Sequence, residues 1–402
     1  MAVEPEAVTR FEPVAGIRLA TAYCGLRKTE RDDVLLLEMA AGSRVAVSLT
    51  RNLFCAAPVT VVKEHIARES PRYLIINAGN ANAGTGNAGL QAARMCCRAV
   101  AEQAGVSEKT VLPFSTGVIG QALAVEKIQA ALPELQRSLD ERSWLAAARA
   151  IMTTDTRPKI ISKQIDTGNG AIHITGIAKG AGMICPNMAT MLSFIATDAE
   201  LDQAELEQLH LKLVNRSFNR ISVDGDTSTN DACVLMATGK AGKIQSGSKL
   251  WMSFEQALDE VYGFLAQAII RDGEGATKFV TVNVSNGATA SDCESVARTI
   301  AHSPLVKTAL FASDANWGRI LAAVGRAGVE LDIDKVGLTV NGVVILEDGR
   351  PSPDYTEDAG SAAFALDEIE ITVDLNVGTE SYQLWTTDLS HEYVRINAEY
   401  RT

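Results

Sequence analysis

Between Lys179 and Leu192 the chain runs Lys179-Gly-Ala-Gly-Met-Ile-Cys-Pro-Asn-Met-Ala189-Thr190-Met-Leu192, a glycine- and proline-rich loop leading through a small residue to a threonine and an apolar strand. Glycines allow such a loop to bend without steric cost. A hydroxyl at Thr190 can attack the carbonyl of Ala189 in an N-to-O acyl shift, and hydrolysis of that ester frees Thr190 as a new N-terminus. Its α-amine, titrating near ~8, can then act as the base for its own hydroxyl. The same letters also fit a glycine loop entering a strand that happens to begin with Thr, and spacing alone favours this plainer reading.

Other segments bear on that choice. Ser115-Thr116-Gly117 lies between an apolar stretch and a helical pattern, where a hydroxyl and a glycine N–H can face an oxyanion. Asp272-Gly-Glu274-Gly-Ala-Thr-Lys278 falls at a helix-to-strand corner, and a glutamate held between two glycines there reads as functional before it reads as solvated surface. The run Asn77 to Gly86 lacks a Walker lysine and the G-x-G-x-x-G order, so a structural loop is the better expectation. Asp224 to Asp231 carries acids without the spacing of a calcium loop. His65, His173, His210, His302 and His391 form no metal-spaced pair. No G-x-S-x-G elbow supports a serine triad.

Strands and helices must position these groups. Val34 to Met39, Pro58 to Val62 and Tyr73 to Asn77 read as short buried strands. Helical spacing runs from Gly89 to a stop at Gly105, from Val125 to Leu132 ending at Pro133, and from Ser143 to Met152 with Ser143 as cap. Ile172 to Thr197 is strand-like at both ends and broken by glycines and Pro186. An amphipathic helix through Leu258, Val261, Leu265 and Ala268 precedes a half-buried strand at Val280, Val282 and Val284. Asn341-Gly342 marks a hairpin within Val336 to Leu346. Ile369 to Val377 alternates, with Tyr382 to Thr387 expected to pair back on it. The whole reads as a mixed, layered α/β (α+β) protein with much antiparallel sheet, and alternation excludes a fully buried parallel sheet in the C-terminal part.

With 402 residues, 47% hydrophobic and 21% charged, the chain can bury a large core. A net charge of −12 argues against nucleic acid and anionic membranes as partners. The seven cysteines are odd in number, scattered and without a C-x-x-C pair, as expected of reduced thiols. No signal pattern appears in Met1 to Pro13, and no apolar run approaches ~20 residues. The expectation is a cytoplasmic protein without metal.

Met152 to Thr156, Gly176 to Met183, Pro186 to Leu192, Val223 to Asp231, Arg271 to Lys278, Ser313 to Gly318 and Asp388 to Tyr400 together resemble the ornithine acetyltransferases, the arginine-biosynthesis bifunctional ArgJ family. The resemblance spans essentially the full chain in order. It implies an αββα sandwich like that of the N-terminal-nucleophile hydrolases but with different connectivity, plus a smaller C-terminal αβ region. Cleavage between Ala189 and Thr190 would give chains 1–189 and 190–402, assembled as an α2β2 heterotetramer. Thr190 matches the nucleophile, Thr116 and Gly117 the oxyanion hole. Thr153, Lys179, Thr190, Glu274, Asn397 and Thr402 match substrate-binding positions. Cys185 falls where the family varies.

The implied reaction is a ping-pong transfer of acetyl from N2-acetylornithine to glutamate, with no bound cofactor and with acetyl-CoA open as a second donor. Charge suggests Lys179 for the substrate carboxylate and Glu274 for the cationic end of ornithine. Two rivals remain at this stage. An aminopeptidase or amidohydrolase of the same fold would pass the acyl group to water. A non-catalytic amino-acid-binding protein would keep the fold alone, and the intact set of Thr190, Thr116, Gly117 and Glu274 speaks against it.

Overall fold

The computed structural model describes Val3 and residues 11–168, 170–185 and 191–399. In chain order the first elements are β1 Ile17–Ala22, β2 Val34–Met39, β3 Arg44–Leu49, α1 Ala57–Ile66, β4 Tyr73–Asn80 and α2 Gly86–Ala104. Next come β5 Val111–Val118, α3 Val125–Arg137, α4 Trp144–Ala150, β6 Lys159–Asp166, β7 Ala171–Lys179 and β8 Leu192–Glu200. Then follow α5 Gln203–Arg216, β9 Ile221–Ser222, β10 Ala232–Lys243, α6 Lys249–Arg271, β11 Phe279–Gly287, α7 Ala290–Ala301, α8 Pro304–Phe311 and α9 Trp317–Gly325. The last are β12 Gly337–Val340, β13 Val343–Glu347, β14 Arg350–Pro351, α10 Glu357–Ala365, β15 Glu368–Asp374, β16 Glu380–Thr387 and α11 His391–Glu399.

Packing divides the chain into two compact units, a larger one of Glu6–Asn219 with Asp226–Ile269, and a smaller one of Met1–Pro5, Arg220–Gly225 and Ile270–Thr402. These units follow packing and do not coincide with the expected covalent chains 1–189 and 190–402, which are a separate property.

The larger unit has a four-stranded sheet, β1-β2-β4-β5, and a five-stranded sheet, β3-β10-β8-β7-β6. Their inner faces meet through Leu35, Leu37, Ile76 and Phe114 on one side and Ile177, Phe194, Val234 and Met236 on the other. The Phe114 and Phe194 rings cross edge to face at 5.2 Å. Outside the first sheet, Leu36 and Ile75 pack with Cys97 and Val100 of α2 and Ile128 and Leu132 of α3. Outside the second, Gly176 lets α6 approach: a β-carbon there would stand 3.0 Å from Leu265 and 3.1 Å from Val261. Buried His210 on α5 bridges Ser48 of β3 at 2.9 Å and Tyr262 of α6 at 2.8 Å. The layers are therefore α, β, β, α. Each apolar side chain so buried contributes about 1.5–3 kcal/mol.

The smaller unit is a seven-stranded mixed sheet, β14-β13-β12-β15-β11-β16-β9. Val280, Val282, Ile369, Ile371 and Val373 pack beneath α7 to α10, while Glu368 and Glu370 stay exposed. Asn341 and Gly342 adopt φ of 46° and 80°, as the hairpin at that dipeptide requires.

Three expectations need correction. Pro58 to Val62 is not a strand but the first half of α1, with the proline in its opening turn, where no N–H is needed. Pro133 does not end α3, which continues to Arg137. Gln129, four residues earlier, lies on the exposed face, where its carbonyl can turn to water. Tyr382 to Thr387 pairs not with β15 but antiparallel with β11, because β15 has both edges taken by β11 and β12.

Candidate functional site

In the larger unit the site grows from the adjacent ends of β4 and β5. These strands run parallel, and at Gly79 and Asn80 the register slips so that Thr116 faces both Ala78 and Asn80. Such a bulge re-aims a side chain. Gly117 sits at φ 132°, and a β-carbon there would stand 2.3 Å from the Gly79 carbonyl carbon. Gly79 in turn, at φ 102°, would meet the Leu26 carbonyl oxygen at 2.8 Å. The start of the Asn77–Gly86 run, expected to be a structural loop, is thus the end of β4, and Thr116 and Gly117 of β5 lie against it.

Thr116 and Lys179 are both buried, and the Lys179 ammonium donates to Thr116 Oγ1 at 3.1 Å. Lys179 ends β7, and Gly180 just past it donates its N–H to Asp155 Oδ1 at 2.7 Å. The other oxygen, Oδ2, accepts the Thr153 N–H at 2.9 Å, and Lys159 Nζ lies 2.6 Å from Oδ1. Burial alone would raise the Asp155 pKa. The cations of Lys159 and Lys179 and the bonds from Lys159 and Gly180 outweigh it, holding the carboxyl well below the usual range. One buried anion therefore sits beside Thr153 and Lys179, and Thr116 joins them through Lys179.

Reading the sequence passed over several participants. Asp155 sits inside the Met152–Thr156 motif, but only the meeting of β6 and β7 with that segment makes it a centre. Arg27 donates to the carbonyls of Ala150 (3.0 Å) and Met152, and Arg31 to those of Met152 (3.0 Å) and Thr153 (3.2 Å). Fully buried Asp33 accepts the N–H groups of Cys24 and Leu26 and so shapes the turn that carries Arg27. Asn230, in the run weighed as a cation loop, donates to the carbonyls of Ala81 at 2.6 Å and Ser115 at 2.9 Å. Among the described residues no group of three or more His, Cys, Asp and Glu side chains is gathered for a metal.

The smaller unit holds the other expected positions. Glu274, 9% exposed, accepts from Asn397 Nδ2 at 2.7 Å. The corner between α6 and β11 is tied to the C-terminal segment at several points. Asp388 accepts the N–H of Thr277 at 2.8 Å, the N–H of Lys278 at 3.0 Å and the Thr277 hydroxyl at 2.6 Å. Ser390 donates to the Gly275 carbonyl at 2.6 Å, and Gly275 at φ 69° would collide with the Tyr393 backbone if it bore a side chain. Lys307, buried beneath, donates to Thr386 Oγ1 at 3.2 Å, and burial pushes its pKa down to about 8. Ala189, Thr190 and Thr402 lie outside the described residues.

The remaining histidines have structural partners: His65 with the Val111 carbonyl, His173 with Asp198, His302 with Ser222, and His391 edge to face with the Phe311 ring. All seven cysteines are free thiols, and Cys185 is buried. No helix among the described residues is long and apolar enough to cross a membrane.

The larger unit is thus a layered α/β scaffold with buried polar side chains gathered at neighbouring strand ends. The ArgJ family model matches residues 18–402. A Methylococcus capsulatus protein described as arginine biosynthesis bifunctional protein ArgJ is 54% identical, with 100% of both chains covered. Among solved structures, the ArgJ protein of Bacillus halodurans is 39% identical at TM-score 0.48, covering 50% of this chain and 96% of that one. An ornithine acetyltransferase complexed with ornithine, from Mycobacterium tuberculosis, is 29% identical at TM-score 0.38, covering 45% and 94%. The chain belongs to the ArgJ family, and it is an acetyltransferase of arginine biosynthesis.

Proposed function

We propose that the enzyme is a glutamate N-acetyltransferase that carries acetyl from N2-acetylornithine to glutamate on Thr190, after cutting its own chain between Ala189 and Thr190. The observation that carries this reading is the Lys179–Thr116 hydrogen bond beside the loop that joins β7 to β8 and contains position 190. It supports the Thr116 hydroxyl and the Gly117 backbone N–H as the oxyanion donors, each contributing about 3 kcal/mol.

In the first half-reaction Thr190 Oγ attacks the acetyl carbonyl and its proton passes to the Thr190 α-amine. The tetrahedral adduct collapses to acetyl-Thr190, and the departing α-amine of ornithine takes that proton. Glutamate then attacks the ester through its neutral amine. Its proton moves to the Thr190 amine and on to the leaving Thr190 Oγ, which restores the enzyme. Lys179 and Thr153 engage the amino-acid carboxylate end. Glu274, with Asn397 and Thr402, takes the ammonium end of ornithine. Acetyl-CoA as a second donor, an α2β2 assembly and a cytoplasmic location complete the reading.

Three measurements test it. Purified enzyme should run as two bands on a denaturing gel, and Thr190→Ala as one. Acetylornithine without glutamate should add one acetyl mass to the chain that begins at Thr190. Ornithine release should then stall until glutamate is supplied. A single uncut band in active wild-type enzyme, or steady release of ornithine into water, defeats the proposal.

A further inference from the structure

We propose that Asp155 is a positioning residue for this acetyl transfer: it holds Lys179 against Thr116, so that the Thr116 hydroxyl keeps its proton for the developing oxyanion. The inference rests on the reading of Thr116 as an oxyanion donor and adds the device that aims it.

An ammonium has only donors, so at 3.1 Å the Lys179–Thr116 contact fixes Thr116 Oγ1 as the acceptor. The single O–H of Thr116 is thereby turned away from Lys179. The positive charge behind the oxygen also strengthens that O–H as a donor, more so because both side chains are buried. Without the lysine the hydroxyl rotor is no longer held by that contact.

Lys179 keeps its place because the backbone just beyond it is pinned. β7 ends where Lys179 pairs with Leu192, and Gly180 leaves the sheet at φ 155° with its N–H on Asp155 Oδ1 at 2.7 Å. The second oxygen of the same carboxylate fixes the Thr153 N–H at 2.9 Å. One buried anion therefore sets two backbone segments and lies within electrostatic reach of the Lys179 ammonium. Lys159 at 2.6 Å offsets the burial of that anion. An ion pair kept for stability alone is a weak device, since buried pairs often gain little over apolar replacements. Here the carboxylate also serves two N–H groups, one at Thr153 and one at Gly180 next to Lys179.

The test is a double-mutant cycle in the processed enzyme, reading kcat for acetyl exchange from acetylornithine to glutamate. Thr116→Ala should lower kcat by about 10²–10³-fold. Asp155→Asn should lower it by about 10–100-fold, because the donor is misaimed rather than removed. In the Thr116→Ala background Asp155→Asn should cost less than about threefold more, since the two act as a unit. A purely structural role would multiply the two losses, and losses that multiply overturn the proposal. So does a folded Asp155→Asn enzyme with wild-type kcat.

Where Asp155→Asn does not fold, or Thr116→Ala does not mature, the charge-balanced pair Asp155→Asn with Lys159→Met decides. A loss of tenfold or more at an unchanged melting temperature supports positioning, and wild-type kcat refutes it. Wild-type enzyme that transfers no acetyl defeats the proposed function itself, a result distinct from either.

Discussion

Gly117→Ala is the most direct probe of the end of β5 at Thr116, because it leaves the backbone N–H in place and changes only what surrounds it. At φ 132° an L-residue is strained, and the new β-carbon would stand 2.3 Å from the Gly79 carbonyl carbon and 2.6 Å from the Asn80 nitrogen. Backbone strain of this kind costs about 1–3 kcal/mol. Overpacking against a strand that cannot yield adds about 1–3 kcal/mol more. Gly120 supplies a matched control, since it too has a positive φ, 84°, but nothing stands within 4 Å of its β-position. Gly120→Ala should therefore cost only about 1–2 kcal/mol. The difference between the two variants in denaturant unfolding isolates the close approach of the strands. Relief by shifting β5 away from β4 moves Thr116 with it, and a displacement of about 1 Å should lower kcat about 100-fold. Equal stabilities and equal kcat for the two variants would refute the argument that the Gly79–Gly117 contact sets the site.

Acid should destabilise the larger unit through His210, whose pKa burial lowers from 6.5 to about 3. The unfolded chain then binds the extra proton below pH 6.5, so stability falls as pH drops, by about 1.4 kcal/mol per unit down to the folded pKa. His210→Gln should remove that slope in urea titrations between pH 6.5 and 4, and an unchanged slope counts against it. His302, lowered by burial to about 4, predicts the same sign for the smaller unit. Asp388→Ala strands the N–H groups of Thr277 and Lys278 and the Thr277 hydroxyl, and should cost about 3 kcal/mol in unfolding experiments. Glu274→Gln keeps the Asn397 contact but removes the negative charge. The KM for acetylornithine should rise more than that for glutamate, and an equal rise in both would remove Glu274 from the ornithine end.

Elements whose burial is one-sided were legible in the residues. β15 alternates because Ile369, Ile371 and Val373 face the helices while Glu368 and Glu370 face water. α2 ends at Gly105 because its φ of 67° suits glycine. α1 was not legible, since Val59, Thr60, Val61 and Val62 have strand character one by one. Helical burial shows only when the segment is followed on to His65. The site divides in the same way. Thr116, Lys179 and Glu274 sit in glycine-punctuated motifs that stand out locally. Arg27 and Arg31 matter through partners more than a hundred positions away, as does Asn230 through Ser115, and Asp155 joins its near neighbours Thr153 and Lys159 to Gly180 beyond β7. No local pattern encodes such meetings.

The same topology bears on what the proposed cleavage between Ala189 and Thr190 would leave intact. β8 begins at Leu192, two residues beyond position 190, and it is an interior strand. Lys179 of β7 flanks Leu192 on one side and Ala232 of β10 on the other, and the Met191 carbonyl already accepts the Ala232 N–H at 2.9 Å. Leu192, Phe194 and Ile195 are buried, each contributing about 1.5–3 kcal/mol. Cleavage between Ala189 and Thr190 removes none of these bonds or contacts. A new terminus released there would be tethered through Met191 to the middle of a sheet, on the strand paired with the one whose last residue, Lys179, holds Thr116. Strand pairing holds Lys179 and Leu192 in place, so the proposed cleavage between Ala189 and Thr190 would break none of the bonds that hold them.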